Sequence, residues 1–295
     1  MIVGGPNTRA DYHIEEGEEL FYMIKGDMCL KVMEQGRPRD IHIREGEMFM
    51  LPRRIPHSPQ REANTIGLVI ERERLPEEKD GLRWYVQNSE TKEPIGTILY
   101  QEWFHCTDLG TQLKPVIERF FASEEYKTNT PKREYTDDDQ PYQIDQMTAL
   151  GHPFSFKQWV SKHLKADNAS PTGTVGNVMF GATSKEAGCA RGDGPVNDKD
   201  DHALSQDTMS VDGEFRVDVN GGMDREKWEK GFESKGEVLI WQLQGTAIVQ
   251  SNGKTHEVPR GHMLLIPKGS RIAVSFNKDT GGNCLGVAVT NYNVA

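Results

Sequence analysis

Short apolar runs separated by turn residues fill the first third of the chain. Each run has the length of a β-strand, and pairs such as Gly26-Asp27 and Glu45-Gly46 lie between or beside them. Several short strands with closely spaced turns are typical of a β-sandwich or a β-barrel. The predicted strands are Leu20–Ile24, Met28–Met33, Met48–Leu51 and Ile66–Ile70.

Two later segments have the apolar spacing of helices. The segment Thr111–Tyr126 places Val116 and Phe120 on one helical face, and Thr111 is its predicted N-cap. The segment Phe156–Lys165 is a second predicted helix, since its apolar stripe follows residues that suit a helix start.

Two polar stretches separate these elements from a second β region. We interpret residues 132–150 as a linker. Residues 183–223 are rich in Gly, Asp and Ser, so we expect a mobile insertion loop there. The β pattern resumes over Val238–Val289.

The two β regions are copies of one module. Gly17–Leu20 and Gly236–Leu239 share the pattern G-E-x-L at an offset of 219 residues. Gly46 and Gly261 begin a second shared pattern, G-x-M, at an offset of 215 residues. A repeat of this kind predicts two similar β domains.

Charge and hydropathy exclude several classes of protein. The 45 acidic residues against 35 basic ones give a net charge of −10, which disfavours binding to a phosphate backbone. No apolar run reaches the roughly 18 residues of a membrane span. The start of the chain lacks the regions of a signal peptide. We therefore expect a cytoplasmic protein that binds neither nucleic acid nor membrane.

Two motifs in the first copy resemble the paired motifs of the cupin superfamily, small β-barrels that bind a metal inside. Glu15 stands where the first motif usually has a second histidine, and Arg54 replaces an inner glycine of the second motif. The two motifs are His13-x5-Glu19-x6-Gly26 and Gly46-x5-Pro52-x4-His57.

This resemblance predicts a mainly β bicupin, with two small barrels of the double-stranded β-helix type joined by a linker with a few helices. The predicted domains are a catalytic cupin at 1–131, the linker at 132–150 and a degenerate cupin at 151–295.

The candidate metal ligands are His13, Glu19 and His57. Because side chains alternate along a strand, the even separation of His13 and Glu19 suits ligands on one face, and a hairpin can bring His57 across from them. Two imidazoles and one carboxylate form the facial triad of non-haem Fe(II) oxygenases, which leaves positions open for O2 and a chelating substrate. We therefore predict one Fe2+ ion in the first domain.

The second copy has an apolar residue at each of these positions. Phe232 matches His13, Val238 matches Glu19, and Ile272 matches His57. The second barrel is therefore predicted to keep its fold and to hold no metal.

Three further polar residues lie close to the candidate ligands in sequence. Arg9 precedes His13 by four residues, Arg61 follows His57 by four, and Glu71 follows the predicted strand Ile66–Ile70. A guanidinium group suits a substrate carboxylate because it forms bidentate hydrogen bonds. A glutamate there could accept a proton or bind an amine.

The stretches GGPNTRADYHIEEGEELFYMIKGDM, LPRRIPHSPQR and NTIGLVIER closely resemble the 3-hydroxyanthranilate 3,4-dioxygenases of the animal, two-cupin type. The resemblance is specific over about residues 3–126 and weaker over the second cupin. It implies iron ligands, substrate contacts, a dioxygen contact and catalytic residues. These are His13, Glu19 and His57 for iron, Glu19, Arg61 and Glu71 for substrate, Arg9 for dioxygen, and Arg9 and Glu71 for catalysis.

The reaction that this resemblance implies is ring opening of 3-hydroxyanthranilate by O2. The product is 2-amino-3-carboxymuconate semialdehyde, which closes to quinolinate, a precursor of NAD in the kynurenine pathway. Iron would hold O2 and the chelated substrate side by side. Because the chain contains its own second cupin in place of a dimer partner, we expect a monomer in the cytosol.

Two other functions fit the same residues. One is a cupin dioxygenase of another hydroxy-aromatic acid, and the other is a non-catalytic metal-binding bicupin. Most structural cupins keep the H-x-H pair, whereas this chain has Glu15 there. Relative to the family it resembles, the chain begins late, so we expect a first strand to be missing.

Overall fold

Two compact β units make up the chain. The computed structural model describes residues 1–163, 178–180, 214–219, 225–276 and 285–291. The units comprise residues 1–156 and 157–295, and each contains two antiparallel sheets. The mainly β, bicupin architecture is thereby confirmed, whereas the bounds 1–131, 132–150 and 151–295 stay a prediction.

The first unit contains two facing sheets. Their strand orders are β1-β8-β3-β6-β11 and β10-β9-β2-β7-β4-β5. Phe21 of one sheet and Leu30 of the other lie in the same buried core cluster, so the core fills the space between the sheets. The strands are β1 (Ile2–Gly4), β2 (Tyr12–Ile14), β3 (Glu19–Lys25), β4 (Met28–Glu34), β5 (Arg37–Ile43), β6 (Glu47–Leu51), β7 (His57–Arg61), β8 (Ile66–Ile70), β9 (Asp80–Gln87), β10 (Pro94–Phe104) and β11 (Phe154–Ser155).

The helices of this unit follow its strands. They are α1 (Leu109–Ala122), α2 (Glu124–Thr128) and a 3-10 helix (Asp137–Asp139). The prediction that Thr111 caps the first helix was wrong. Asp108 is the N-cap, because its carboxylate accepts a hydrogen bond from the backbone N–H of Gly110 at 2.9 Å. Among the described residues, no helix is both long enough and apolar enough to cross a membrane.

The second unit repeats this architecture. Its sheets have the orders β12-β13-β20-β15-β18 and β14-β19-β16-β17. Its helices are α3 (Phe156–His163), which begins at the boundary, and α4 (Arg225–Lys230). Its strands are β12 (Val178–Phe180), β13 (Phe215–Val219), β14 (Phe232–Glu233), β15 (Val238–Gln244), β16 (Thr246–Ser251), β17 (Lys254–Pro259), β18 (Met263–Ile266), β19 (Arg271–Phe276) and β20 (Leu285–Asn291).

Part of the predicted insertion loop is a strand. Within residues 183–223, the alternating side chains of Phe215, Val217 and Val219 are buried and form β13. The prediction failed because these three apolar residues lie in a polar surrounding sequence. The rest of that stretch lies outside the described residues, as does the predicted helix end at Lys165.

Strand order and backbone conformation confirm the internal repeat. The order β1-β8-β3-β6 recurs as β13-β20-β15-β18, and β2-β7-β4-β5 recurs as β14-β19-β16-β17. Gly26 and its counterpart Gly245 have φ angles of 68° and 71°, and the pair Gly46 and Gly261 have 79° and 80°. The turns therefore keep glycine because other residues adopt this conformation only at a cost.

Candidate metal centre

Strand pairing brings the three candidate ligands together. In the antiparallel pair of β2 and β7, His13 lies directly opposite His57, and the ring centroids are 5.3 Å apart. Glu19 begins β3 in the facing sheet. All three side chains are buried, and their potential ligand atoms lie within 4.8 Å of one another. A cation could therefore contact all three.

Each imidazole has one nitrogen held by a neighbour. Nδ1 of His57 lies 2.9 Å from the carbonyl oxygen of Ile55, and Nε2 of His13 lies 2.7 Å from Oδ2 of Asp80. Histidines that bind metals commonly donate their second ring N–H in this way. For His57, the nitrogen left for a cation is Nε2, which faces Glu19.

The carboxylate of Glu19 completes the donor set. Its Oε1 atom lies 2.7 Å from Nε2 of His57, but this contact lacks the angles of a hydrogen bond, and the buried oxygen has no hydrogen-bond partner. Burial raises the pKa of Glu19, but His57, Glu15 and His13 together lower it by more, so the net pKa lies well below its usual range. An ionised, unpartnered carboxylate oxygen between two imidazoles suits a metal ion.

The surrounding charges also favour a divalent cation. Burial and the nearby Glu19 carboxylate raise the pKa of Glu15 well above its usual value, as expected where negative charges are crowded. When fully ionised, four carboxylates here face two buried guanidinium groups and the further positive charge of Arg9, so negative charge remains in excess and suits a cation. The carboxylates belong to Glu15, Glu19, Glu71 and Asp80, and the guanidinium groups belong to Arg61 and Arg74.

Arg61 offers a free hydrogen-bond donor near the centre. It lies on the same face of β7 as His57, since the two are four residues apart. The residue is 7% exposed, and its Nε atom has no hydrogen-bond partner. Burial lowers the pKa of Arg61, and the charge of Glu19 only partly opposes this effect. A buried, unpaired guanidinium N–H is a natural binding group for an anion.

Glu71 lies beside Glu19 because of strand register. In the pair of β3 and β8, Leu20 lies opposite Ile70, so the next residues in the ladder are Glu19 and Glu71. Nη1 of Arg74 lies 2.6 Å from Oε2 of Glu71. Burial and the Glu19 charge nevertheless raise the pKa of Glu71. This brings the carboxyl group closer to the range in which it can exchange protons.

Arg9 is held by a neighbour on its own segment. Its Nε atom donates to Oδ1 of Asp11 at 3.1 Å. Its positive charge opposes protonation of both His57 and Arg61. Arg9 therefore acts on the centre through its charge, while its described ion pair is with Asp11.

The sequence analysis missed the arginine that links the buried acids. Nη2 of Arg74 lies 2.6 Å from Oε2 of Glu15 and 2.9 Å from Oδ2 of Asp80. Arg74 and Asp80 belong to the stretch ERERLPEEKD, whose charges resemble a solvated loop. The one available indication was Glu15, which stands where the first cupin motif usually has a histidine.

A second group of possible ligands lies on β4 and β5 of the same unit. It consists of Cys29, Asp40 and His42, of which Asp40 and His42 are exposed. Nζ of Lys31 lies 3.5 Å from Oδ1 of Asp40, so a cation here would meet a positive charge. We assign no metal to this group.

The fold and the buried donor set together define a cupin with a candidate metal centre in its first barrel. Comparisons with known proteins give the particular family. A sequence model of the 3-hydroxyanthranilic acid dioxygenase family matches residues 1–121.

Curated relatives extend this match over most of the chain. The 3-hydroxyanthranilate 3,4-dioxygenase of Nematostella vectensis is 43% identical over 274 residues, covering 93% of this chain and 82% of that protein. The protein of the same name from Homo sapiens is 38% identical over 273 residues, covering 92% and 80%. This chain belongs to the 3-hydroxyanthranilate 3,4-dioxygenase family.

One solved structure gives a more distant comparison. Salicylate 1,2-dioxygenase from Pseudaminobacter salicylatoxidans has a TM-score of 0.47 and 11% sequence identity, covering 98% of this chain and 69% of that one.

Proposed function

We propose that this chain opens the aromatic ring of 3-hydroxyanthranilate with O2, using Fe2+ as its cofactor. The observation that carries the proposal is the buried cluster of His13, Glu19 and His57 in a member of this family. Both atoms of O2 enter the product, 2-amino-3-carboxymuconate semialdehyde. The product closes to quinolinate and supplies NAD synthesis through the kynurenine pathway.

The donor set supports iron. Two imidazoles and one carboxylate suit Fe2+ and leave coordination positions free. His13, Glu19 and His57 would hold the ion. When bound, iron supplies the redox chemistry with O2 that no side chain of the chain provides.

Side chains around the ion have separate roles. Arg61 binds the substrate carboxylate through its buried guanidinium group, whose Nε atom lacks a partner. Glu71, whose pKa burial raises, accepts a proton from the substrate or binds its amino group. Arg9 contributes a positive charge on the dioxygen side, and Asp11 fixes its position.

Oxygen uptake tests this function. The purified protein is loaded with Fe2+, mixed with 3-hydroxyanthranilate, and followed with an oxygen electrode and by absorbance of the semialdehyde. We expect equal amounts of O2 and substrate to be consumed, and no turnover when Zn2+ replaces Fe2+. An iron-loaded protein that consumes no O2 would contradict the proposal, and turnover of a different hydroxy-aromatic acid alone would reassign its substrate.

We further propose a cytosolic monomer with one iron ion per chain. The second barrel has the same strand orders as the first, but core residues replace its ligands, which suits a domain that stands in for a dimer partner. Light scattering of the full chain, combined with metal analysis, tests this. A stable dimer, or two iron ions per chain, would contradict it.

A further inference from the structure

The His13 imidazole has a buried carboxylate partner that lies outside both cupin motifs. Oδ2 of Asp80 lies 2.7 Å from Nε2 of His13, and Asp80 is 1% exposed. Asp80 begins β9, which pairs with β2 so that His13 lies opposite Leu82. Because Asp80 and Leu82 are two residues apart, they share a face, and Asp80 lies one diagonal step from His13.

Arg74 fixes the carboxylate of Asp80 at both oxygens. Nε of Arg74 donates to Oδ1 at 3.1 Å, and Nη2 donates to Oδ2 at 2.9 Å. A fork of this kind defines the plane of a carboxylate as well as its position. The carboxylate cannot turn away from His13 without losing one of these bonds.

We propose that Asp80, held by Arg74, is a positioning residue that fixes the His13 ring for metal binding. The contact between Oδ2 of Asp80 and Nε2 of His13 holds the imidazole in one orientation. The inference rests on the proposed metal site at His13, Glu19 and His57. Removing such a partner from a metal-binding histidine typically lowers metal affinity by roughly 10- to 100-fold.

The same guanidinium group also reaches the substrate side of the centre. Nη1 of Arg74 lies 2.6 Å from Oε2 of Glu71. Through one planar group, Arg74 therefore contacts both Asp80, which supports the proposed ligand His13, and Glu71, a proposed substrate-binding residue. Changing Arg74→Lys keeps the charge but removes the fork, so it should weaken metal binding in the same direction as a change at Asp80.

Metal affinity of matched variants provides the test. Asp80→Asn keeps the size of the side chain and removes its charge. The control is Glu78→Gln, because Glu78 is also buried and pairs with an arginine, Arg72, at 2.5 Å. Affinity for Co2+ is measured by competition with a chelator in the full chain. We expect a 10- to 100-fold loss for Asp80→Asn, a smaller loss for Arg74→Lys and wild-type affinity for Glu78→Gln.

Two results would overturn the inference. One is wild-type affinity in Asp80→Asn, and the other is an equal loss in Glu78→Gln, which would indicate general damage to this loop. If Asp80→Asn fails to fold, Arg74→Lys decides, because it removes the fork that holds Asp80: wild-type affinity for Co2+ in that variant would overturn the proposal. A protein that binds metal but does not turn over 3-hydroxyanthranilate would contradict the proposed function alone.

Discussion

The two barrels differ in chemistry at positions where their backbones agree. His13 lies opposite His57 in the first barrel, and Phe232 lies opposite Ile272 at the same place in the second. The first barrel encloses polar side chains, and some of their buried atoms have no hydrogen-bond partner. At the ligand positions, the second barrel has apolar core residues instead. The fold therefore does not require the candidate ligands, since the second copy keeps the same strand order with apolar residues at these positions.

The third candidate ligand position, that of Glu19, also has an apolar core residue in the second barrel. Val238, the counterpart of Glu19, is 0% exposed and lies in the core cluster of the second barrel. It lies opposite Thr290, which occupies the position of Glu71. The second barrel thus lacks both the buried carboxylate and its acidic neighbour.

The largest effect is expected from His57→Ala. The change removes one of three proposed ligands from a polar site, so metal binding and turnover should fall below detection while the barrel stays folded. Metal content, oxygen uptake and circular dichroism measure these three properties. Retained iron and activity in this variant would falsify the proposed triad.

The corresponding change in the second barrel, Ile272→Ala, should lower stability and leave metal binding unchanged. Ile272 is fully buried in an apolar core, so its truncation should lower the free energy of unfolding by about 2–5 kcal/mol. Metal affinity should remain that of the wild type. Urea denaturation measures the free energy of unfolding, and chelator competition measures the metal affinity. A loss of metal affinity without a loss of stability would show that the second barrel contributes to the centre directly.

A smaller effect is expected from Arg61→Ala. Losing a charged hydrogen bond should weaken binding of 3-hydroxyanthranilate by about 1.5–3 kcal/mol. The control substrate is 2-aminophenol, which lacks the carboxylate and should be affected much less. Binding of both compounds to the Zn2+-loaded protein can be measured by calorimetry. Equal losses for the two would contradict the role of Arg61 as the carboxylate-binding residue.

Local patterns predicted four of the eleven strands of the first unit, but not its long-range contacts. The strands over β3, β4, β6 and β8 were predicted because their apolar runs are continuous. The strand β5 was missed, since most of its residues are polar and exposed. The strand β13 was taken for a loop because its three buried apolar residues stand in a polar stretch.

The same distinction applies to the candidate centre. Motif spacing was sufficient to select His13, Glu19 and His57, which the structure brings together. Asp80 could not be selected in this way, because it is 67 residues from His13 and becomes its neighbour only through the pairing of β2 and β9. Supporting residues of this kind depend on strand register, which no local pattern specifies.

One further difference between the barrels concerns the backbone. Arg54 stands at an inner glycine position of the second cupin motif and has a φ angle of 62°, whereas its counterpart Gly269 has 76°. The backbone N–H of Arg54 donates to the carbonyl of Glu15 at 2.8 Å, as that of Gly269 does to Ser234 at 2.9 Å. The compensating contacts of Arg54 come from its guanidinium group, which pairs with Glu16 and lies over the ring of Tyr142. An alanine side chain at Gly269 would lack such contacts.

The smallest effect is therefore expected from Gly269→Ala. No described atom lies within 4 Å of the added Cβ, so the cost comes from the left-handed backbone alone and should be about 1 kcal/mol. The matched control is Gly151→Ala, which is equally open but has no positive φ, and which should not destabilise the protein. Urea denaturation of both variants measures the difference. If Gly269→Ala is as stable as Gly151→Ala, the glycine at this turn is not kept for its backbone conformation, and the tolerance of Arg54 needs no compensating contacts.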